Sequence, residues 1–254
     1  MDYRRVIPCL DTRNGRLVKG VHFVDIKELG DPADAAAAYS DAGADELVFL
    51  DITATLEGRK TLLEAVERTV ARIDVPLTVG GGIGSLEDIQ RLLDAGVSKV
   101  SMNSAAVREP ELVRSASERF GREAITVAID TRRSDQMPSG FEVVVSGGTR
   151  PAGIDAVEWA GRAESLGAGQ ILPTSMDADG VRTGYDIPMT KAVVDAVGVP
   201  VIASGGAGAL EHLSEAVLVA GADAVLVASI AHYGTFTIRQ MKEHLAGQGI
   251  PVRL

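Results

Sequence analysis

Two aspartates are spaced so that they could act together as an acid–base pair. Asp11 ends the apolar run 5–10, and Asp130 ends the apolar run 124–129, an offset of 130 − 11 = 119. Side chains alternate along a strand, so Cys9 shares a face with Asp11. If these faces point into a barrel, two carboxylates face each other over its mouth and can divide the acid and base roles. An aspartate that only caps a loop is the alternative for each residue.

Two glycine clusters suggest phosphate binding. Gly80-Gly81-Gly82 and Gly205-Gly206 each separate an apolar run from a helix-like segment. Glycine lets backbone N–H groups approach a ligand, and a helix N-terminus adds a favourable dipole. The residues expected to complete the two cradles are Asn103, Ser104, Asp179, Gly180, Ala228 and Ser229. Two cradles predict a substrate with a phosphate at each end, whereas turns that simply need glycine are the alternative.

The elements that must hold these residues alternate in type along the chain. Eight short runs rich in Val, Ile and Leu are separated by helix-like segments such as 31–42 and 85–95. The runs are 5–10, 46–51, 76–80, 99–102, 124–129, 170–174, 199–203 and 224–228. Eight β–α units in about 250 residues predict a (β/α)8 TIM barrel, as one domain over residues 1–254. A doubly wound open sheet is the alternative fold.

An internal repeat favours the barrel. Residues 75–82 match residues 199–206 at an offset of 199 − 75 = 124, which predicts two similar half-barrels. Long segments follow the first and fifth strands, at 12–30 and 131–153, and are candidate lids, with 141–145 as a small hairpin. Lys19 lies in the first of them, where it could close over an anionic substrate. Tolerated surface insertions and a solvated lysine are the alternatives.

The same alternation places a polar ring at the opposite end of the barrel. Arg5, Glu46, Lys99 and Gln170 begin strands one, two, four and six and are expected to face inward. Charged residues are rarely buried unless they are paired, so such a ring suits a gate on an axial passage. Exposed residues at strand starts are the alternative.

Composition narrows the class of protein. The net charge of −10 argues against nucleic acid or an anionic membrane as a partner. Cys9 is the one cysteine and the four histidines lack metal-ligand spacing, so we predict no metal and no cofactor. No apolar stretch is long enough to span a membrane, and the charged start lacks a signal peptide. We expect a cytoplasmic protein whose Trp159 serves packing.

Motifs along essentially the whole chain resemble the cyclase subunits of imidazole glycerol phosphate synthase, in histidine biosynthesis. They are residues 7–11, 19–20, 45–53, 77–82, 103–106, 128–130, 179–180 and 202–208. The resemblance implies a barrel that joins ammonia to a ribulosyl aminoimidazole carboxamide nucleotide carrying two phosphates. Such enzymes close the imidazole ring and cleave the chain, giving imidazole glycerol phosphate and an aminoimidazole carboxamide ribotide.

The resemblance also assigns roles. Asp11 and Asp130 would be the general acid–base pair, and Lys19 would belong to the lid. The first phosphate cradle would contain Gly82, Asn103 and Ser104, and the substrate-binding set would extend to Thr174, Asp179, Gly180, Gly205, Gly206, Ala228 and Ser229. A partner glutaminase at the barrel bottom would supply ammonia through the polar ring, with Thr78 lining the route.

The chain departs from this family at four places. Gln170 replaces the usual glutamate of the gate, which puts the usual gating contacts in question. Pro173 predicts a local distortion of the sixth strand near Thr174, since proline removes a ladder hydrogen bond. Ser98 stands where an acidic residue is common on the partner side, which predicts altered coupling. Residues 233–235 read Tyr-Gly-Thr where larger and charged residues are usual, and the sequence offers no account of this.

Two other functions remain open. The sister phosphoribosyl isomerase of histidine biosynthesis shares the half-barrel repeat and the aspartate pair, although residues 9–11 and 51–53 favour the cyclase. A non-catalytic barrel that binds a phosphorylated metabolite is the third hypothesis. The paired carboxylates argue against it, because a binder of a doubly phosphorylated ligand gains little from two more anions.

Overall fold

The apolar runs form strands and the amphipathic segments form helices in a computed structural model of the chain. The structure describes residues 3–21, 24–54, 57 and 61–254, with the backbone alone at 19–21 and 24–27. In chain order the strands are β1 (Arg5–Arg13), β2 (Arg16–Val21), β3 (Val24–Gly30), β4 (Leu47–Asp51), β5 (Leu77–Gly80), β6 (Lys99–Met102), β7 (Ile125–Arg133), β8 (Phe141–Val145), β9 (Arg150–Asp155), β10 (Gln170–Ser175), β11 (Ile202–Ala203) and β12 (Ala224–Val227). The helices are α1 (Pro32–Asp41), α2 (Leu63–Val70), α3 (Leu86–Asp94), α4 (Ser104–Arg108), α5 (Glu111–Phe120), α6 (Ala156–Ser165), α7 (Ile187–Ala196), α8 (Leu210–Leu218), α9 (Ser229–His232) and α10 (Ile238–Gly247).

The parallel strands close into a barrel. From β12 the parallel ladder runs through β1, β4, β5, β6 and β7 to β10. β11 pairs with β12, and two isolated parallel bridges, Ile171 with Val201 and Thr174 with Ser204, complete the circuit. Within the described part of the chain, eight parallel strands thus form a cycle. The predicted (β/α)8 barrel is confirmed, and the open doubly wound sheet is wrong.

Side-chain alternation divides the apolar core in two. The cluster inside the barrel consists of Ile7, Cys9, Val48, Leu172, Ile202, Ala224 and Leu226. A second cluster lies between the strands and the helices; it contains Val6 and Leu10 of β1 and Trp159, which is 2% exposed. Because Ile7 and Cys9 face inward, Asp11 lies on the same inner face of β1.

The segments that follow β1 and β7 are strands rather than open loops. β2 pairs antiparallel with β1 and with β3, so the loop expected over 12–30 is mostly extended backbone. The reason is a two-residue Asn14-Gly15 turn with φ of 51° and 72°, a combination that matches hairpin twist. After β7, β8 pairs antiparallel with β7 and β9, which confirms the hairpin predicted at 141–145.

Pro173 does not distort its strand. β10 pairs with β7 in continuous register from Gln170 to Ser175, so the expected distortion is wrong on that side. Towards the last strands of the barrel, Ile171 N donates to Pro200 O and Ser175 N donates to Ser204 O. Pro173 lies between these donors, where alternation aims the missing N–H at β11. The hydrogen bond that Pro173 cannot donate is therefore missing from the pairing of β10 with β11, which is reduced to isolated bridges.

A buried ion pair ties the last helix to the bottom of the barrel. Lys242 Nζ of α10 lies 2.8 Å from Asp45 Oδ1, and their side chains are only 5% and 3% exposed. The other oxygen of Asp45 accepts from the backbone N–H of Val6 at 2.8 Å. Both carboxylate oxygens thus have a partner, which offsets part of the desolvation cost.

Lys242→Met is expected to lower the free energy of unfolding by about 3 kcal/mol, because it leaves the Asp45 carboxylate buried without its cation. Urea denaturation measures the change. The matched control is Lys191→Met, whose pair with Asp195 in α7 is 52% and 59% exposed. We expect this control to lose less than about 0.5 kcal/mol. A loss at Lys242 no larger than that at Lys191 would contradict the argument.

Candidate active site

A cavity of about 140 Å³ opens at the carboxyl ends of the barrel strands. β1 contributes Cys9 and Asp11 to its lining, and β7 contributes Ala128 and Asp130. The fold therefore brings together two aspartates that lie 130 − 11 = 119 positions apart. Enzymes with this fold build their active sites at this end of the barrel.

Asp130 lies in surroundings that favour its neutral form. Burial, and to a smaller extent the carboxylate of Asp179, raise the pKa of Asp130, a hydrogen bond from Asn103 lowers it, and the net result is a pKa of about 7. That bond runs from Asn103 Nδ2 to Asp130 Oδ2 at 2.9 Å. At neutral pH the carboxyl is close to half-protonated, so it can both donate and accept a proton.

Asp11 has different neighbours. Its side chain is 4% exposed, and Cys9 Sγ donates to its Oδ1 at 3.4 Å. His232 of α9 holds the adjacent backbone, with Nε2 2.8 Å from the Cys9 carbonyl oxygen and Nδ1 2.7 Å from the Tyr39 hydroxyl. A carbonyl oxygen only accepts, so Nε2 carries the proton and Nδ1 accepts from Tyr39. Burial raises the pKa of that tyrosine to about 12, which keeps it a donor.

One glycine in each cluster, Gly81 and Gly205, is needed because the backbone of another segment packs against it. A Cβ on Gly81 would lie 2.2 Å from the carbonyl oxygen of Asp51, and one on Gly205 would lie 2.8 Å from that of Ser175. The repeat relates the two contacts, because 205 − 81 and 175 − 51 both equal 124. Both glycines have positive φ, of 94° and 87°. Some of the glycines in the two clusters are therefore explained by close packing of the strand ends beside the cavity and not by phosphate binding.

The predicted first cradle is assembled along one wall of the main cavity. Gly82, Asn103 and Ser104 all line it. The hydroxyl of Ser104 accepts from the backbone N–H of Ser146, just after β8, at 2.9 Å. Among the described residues, Asn103 Oδ1 and the hydroxyl of Ser101 are buried without a hydrogen-bond partner. Buried polar atoms normally have partners, so these two atoms indicate a place for a ligand.

The predicted second cradle forms a smaller cavity of about 20 Å³. Its lining includes six predicted residues, which are Asp179, Gly180, Gly205, Gly206, Ala228 and Ser229. Asp179 and Ala228 also line the main cavity, so the two spaces adjoin. Thr174 lies in the main cavity, in register with Asp130 on the neighbouring strand.

Glu46 is the centre of the polar ring at the opposite end of the barrel. Its Oε2 lies 2.7 Å from both Arg5 Nη1 and Lys99 Nζ. Its Oε1 accepts from the hydroxyl of Thr78 at 2.7 Å. Although only 2% of Glu46 is exposed, three donors compensate its buried charge.

Gln170, at the start of β10, connects this ring to the neighbouring strand β7. Its Oε1 accepts from Arg5 at 3.4 Å, and its Nε2 donates to the hydroxyl of Thr126 at 2.8 Å. The side chain is buried, so the alternative of exposed residues at strand starts is wrong for Glu46 and Gln170. With two cations, one carboxylate and a neutral amide, the ring carries a net charge of +1.

Some lining residues were not singled out from the sequence. Cys9, Asp51, Ser101 and Ser204 line the main cavity. The alternation that selects Lys99 also selects Ser101 two positions later, so that signal was present. Lys19 belongs to β2, but its side chain lies outside the described residues, as does His22.

The histidines that the structure describes make local contacts. His212 Nδ1 accepts from the backbone of Gly208 and Ala209, and His244 Nε2 lies 3.1 Å from the Ser214 hydroxyl. In the described ranges, no group of three or more His, Cys, Asp or Glu residues is arranged to hold a metal ion. No helix within those ranges is both long enough and apolar enough to cross a membrane.

Asp130→Asn is expected to stabilise the protein at pH 8 by up to about 4 kcal/mol and to have little effect near pH 4. A folded-state pKa of about 7, against an ordinary 3.8, means that the native state holds its proton longer than the unfolded chain. The wild type therefore loses stability as the pH rises from about 4 to 7, and the amide does not. Urea denaturation across this range tests this, with exposed Asp135→Asn as the control. Equal pH profiles for wild type and Asp130→Asn would contradict the assignment.

The fold and the cavity agree with a comparison of the sequence with known protein families. The family described as "Histidine biosynthesis protein" matches residues 5–237, nearly the whole chain. That family includes both the phosphoribosyl isomerase and the cyclase of the pathway. The match covers all eight barrel strands, the aspartate pair and both predicted cradles. The chain belongs to this family of histidine biosynthesis proteins.

Proposed function

We propose that the protein is the cyclase of the family. It would combine ammonia with a ribulosyl aminoimidazole carboxamide nucleotide that carries a phosphate at each end. The products would be imidazole glycerol phosphate and an aminoimidazole carboxamide ribotide. The observation that carries this proposal is the combination of two carboxylates in one cavity with a buried ionic ring at the other end of the same barrel.

The aspartate pair supports acid–base chemistry. Ring closure with ammonia and cleavage of the chain both require protons to move between nitrogen, oxygen and carbon. Asp130, with its pKa near 7, can supply or remove a proton without a large energetic cost. Asp11 enters the cavity from the opposite half-barrel, so the two acids can serve different faces of a bound substrate.

The cradles suit the two ends of such a substrate. The Ser101 hydroxyl, which has no partner among the described residues, can donate to a phosphate next to Gly82 and Ser104. Asn103 Oδ1 only accepts, so it can bind a hydroxyl or N–H group of the substrate. The second cavity, around Gly206 and Ser229, adjoins the site on the other side. A ligand held at both cradles would span the mouth of the barrel and pass over both carboxylates.

The ionic ring supports the proposal of a cyclase over an isomerase. An isomerase uses no ammonia, so it has no use for a ring of buried charges around Glu46. In a cyclase the ring would admit ammonia that a glutaminase partner delivers at this end, where Ser98 is exposed. Between ring and cavity lies the apolar layer of Ile7, Val48, Leu172, Ile202, Ala224 and Leu226. Neutral ammonia can cross such a layer at far lower cost than ammonium, whose charge would be desolvated.

One assay separates the candidates. The purified protein is given the ribulosyl substrate with ammonium salts, and consumption is followed by absorbance; the isomerase substrate is tested in parallel. The cyclase proposal expects ammonia-dependent turnover of the first and none of the second. Rapid isomerisation without ammonia would establish the sister activity instead, and inertness towards both would favour a binding protein.

Asp11→Asn and Asp130→Asn are each expected to lower ammonia-dependent turnover at least about 10²-fold, because an amide cannot exchange the proton. Steady-state kinetics with saturating ammonium salts measures the loss. Asp135→Asn, an exposed site between β7 and β8, is the matched control and should retain full activity. Near-normal activity in either catalytic variant would remove that residue from its role.

Gln170→Glu is expected to change glutamine-dependent turnover more than ammonia-dependent turnover. The added carboxylate lies beside Arg5, lowers the ring's charge from +1 to 0 and removes the donor to Thr126. Turnover with glutamine and the glutaminase is compared with turnover on ammonium salts, and exposed Gln136→Glu is the control. Equal changes in both reactions would count against a gate.

A further inference from the structure

Arg182 has an uncommon backbone conformation at the edge of the second cradle. Its φ of 64° lies in the left-handed region, which a residue with a side chain seldom adopts. Close packing holds it there: a Cβ on Gly208 would lie 1.9 Å from the Arg182 carbonyl oxygen, and Gly184 N donates to Gly206 O at 2.8 Å. The loop that carries Arg182 is thus pressed onto the glycine segment after β11.

The guanidinium of Arg182 is held against an aromatic ring. Its Cζ lies 4.7 Å from the centroid of the Tyr233 ring, just beyond α9. Among the described residues no carboxylate forms a salt bridge with Arg182, so its charge is held in place but not neutralised. Stacking on a ring leaves the guanidinium edge, with its N–H donors, available to another group.

This cation lies where an anion is expected. Arg182 lines the cavity of the second cradle together with Gly180, Gly206 and Ser229, and it is the one positively charged residue among the described lining. Asp179 is on the same cavity, so the described lining without Arg182 would present a net negative charge to a phosphate. Guanidinium groups match phosphate oxygens with two parallel N–H donors.

We propose that Arg182 binds the substrate phosphate in the second cradle and that the Tyr233 ring positions it. The identity of the substrate depends on the proposed function; the site for a phosphate group does not. The pair also gives a use to the Tyr-Gly-Thr sequence at 233–235. Gly234, with a φ of 64°, turns the chain directly after the ring, and the exposed tyrosine serves as a platform.

Hydrogen–deuterium exchange with inorganic phosphate tests the site without any turnover. In the wild type, phosphate is expected to slow exchange in residues 178–184 and 205–209. Arg182→Gln should need about 10-fold more phosphate for half-maximal protection, because a charge-assisted bidentate contact is lost. Arg119→Gln is the matched control: it removes an exposed arginine that stacks on Phe120, 5.1 Å from the ring centroid, on outer helix α5. Absence of protection in the wild type, or equal midpoints in the two variants, would overturn the proposal.

Two tyrosine variants test the positioning role. Tyr233→Phe keeps the ring and should shift the midpoint less than 2-fold, whereas Tyr233→Leu should shift it about 3-fold. Equal behaviour of the two variants would remove the tyrosine from the proposal.

Kinetics then separates this proposal from the proposed function. With the ribulosyl substrate, Arg182→Gln should raise KM about 10-fold and change kcat less than about 2-fold. Phosphate protection that depends on Arg182 in a protein without cyclase activity would refute the function and keep the site. Normal cyclase activity with equal KM in Arg182→Gln and Arg119→Gln would refute the site and keep the function.

Discussion

Alternation of side chains along strands that close on themselves is the constraint on which the site depends. In a closed cycle every second residue must point to the axis, so residues at corresponding heights on different strands meet. The layers follow from this geometry. Arg5, Ile7 and Asp11 share one face of β1 and belong respectively to the ionic ring, the apolar interior and the cavity.

The two half-barrels share a backbone plan and differ in side chains. Gly81 meets the carbonyl oxygen of Asp51 as Gly205 meets that of Ser175, which keeps the same loop geometry on both sides of the axis. At the equivalent strand ends, however, Asn103 corresponds to Ala228. Asn103 is the residue that donates to Asp130, so one half supplies the amide that tunes the acid of the cavity.

Electrostatics differs sharply between the two ends of the barrel. At the bottom, Glu46 collects three donors and its charge is neutralised within the ring. In the cavity, Asp130 has Asp179 as a neighbouring carboxylate and Asn103 as a donor, so burial prevails and its pKa rises. The bottom thus keeps its ions paired, whereas the cavity keeps a proton exchangeable. His232 links the two halves at the top, because it joins α9 to the backbone of Cys9 beside Asp11.

The sequence alone determined the eight barrel strands, their inward faces and the duplication, because periodicity and offset are properties of the chain itself. It also placed Asp11 and Asp130 at equivalent strand ends. Even the missed β1–β2 hairpin could have been predicted from Asn14-Gly15, whose backbone preference is local.

Tertiary structure decided what depends on distances between strands. Which ladder loses a bond at Pro173, which donors converge on Glu46 and how far burial raises the pKa of Asp130 all depend on register between distant segments. The stacking of Arg182 on Tyr233 brings together two loops about fifty residues apart in the chain. Local sequence specifies the direction in which a side chain leaves its strand, but only the closed barrel specifies what it meets there.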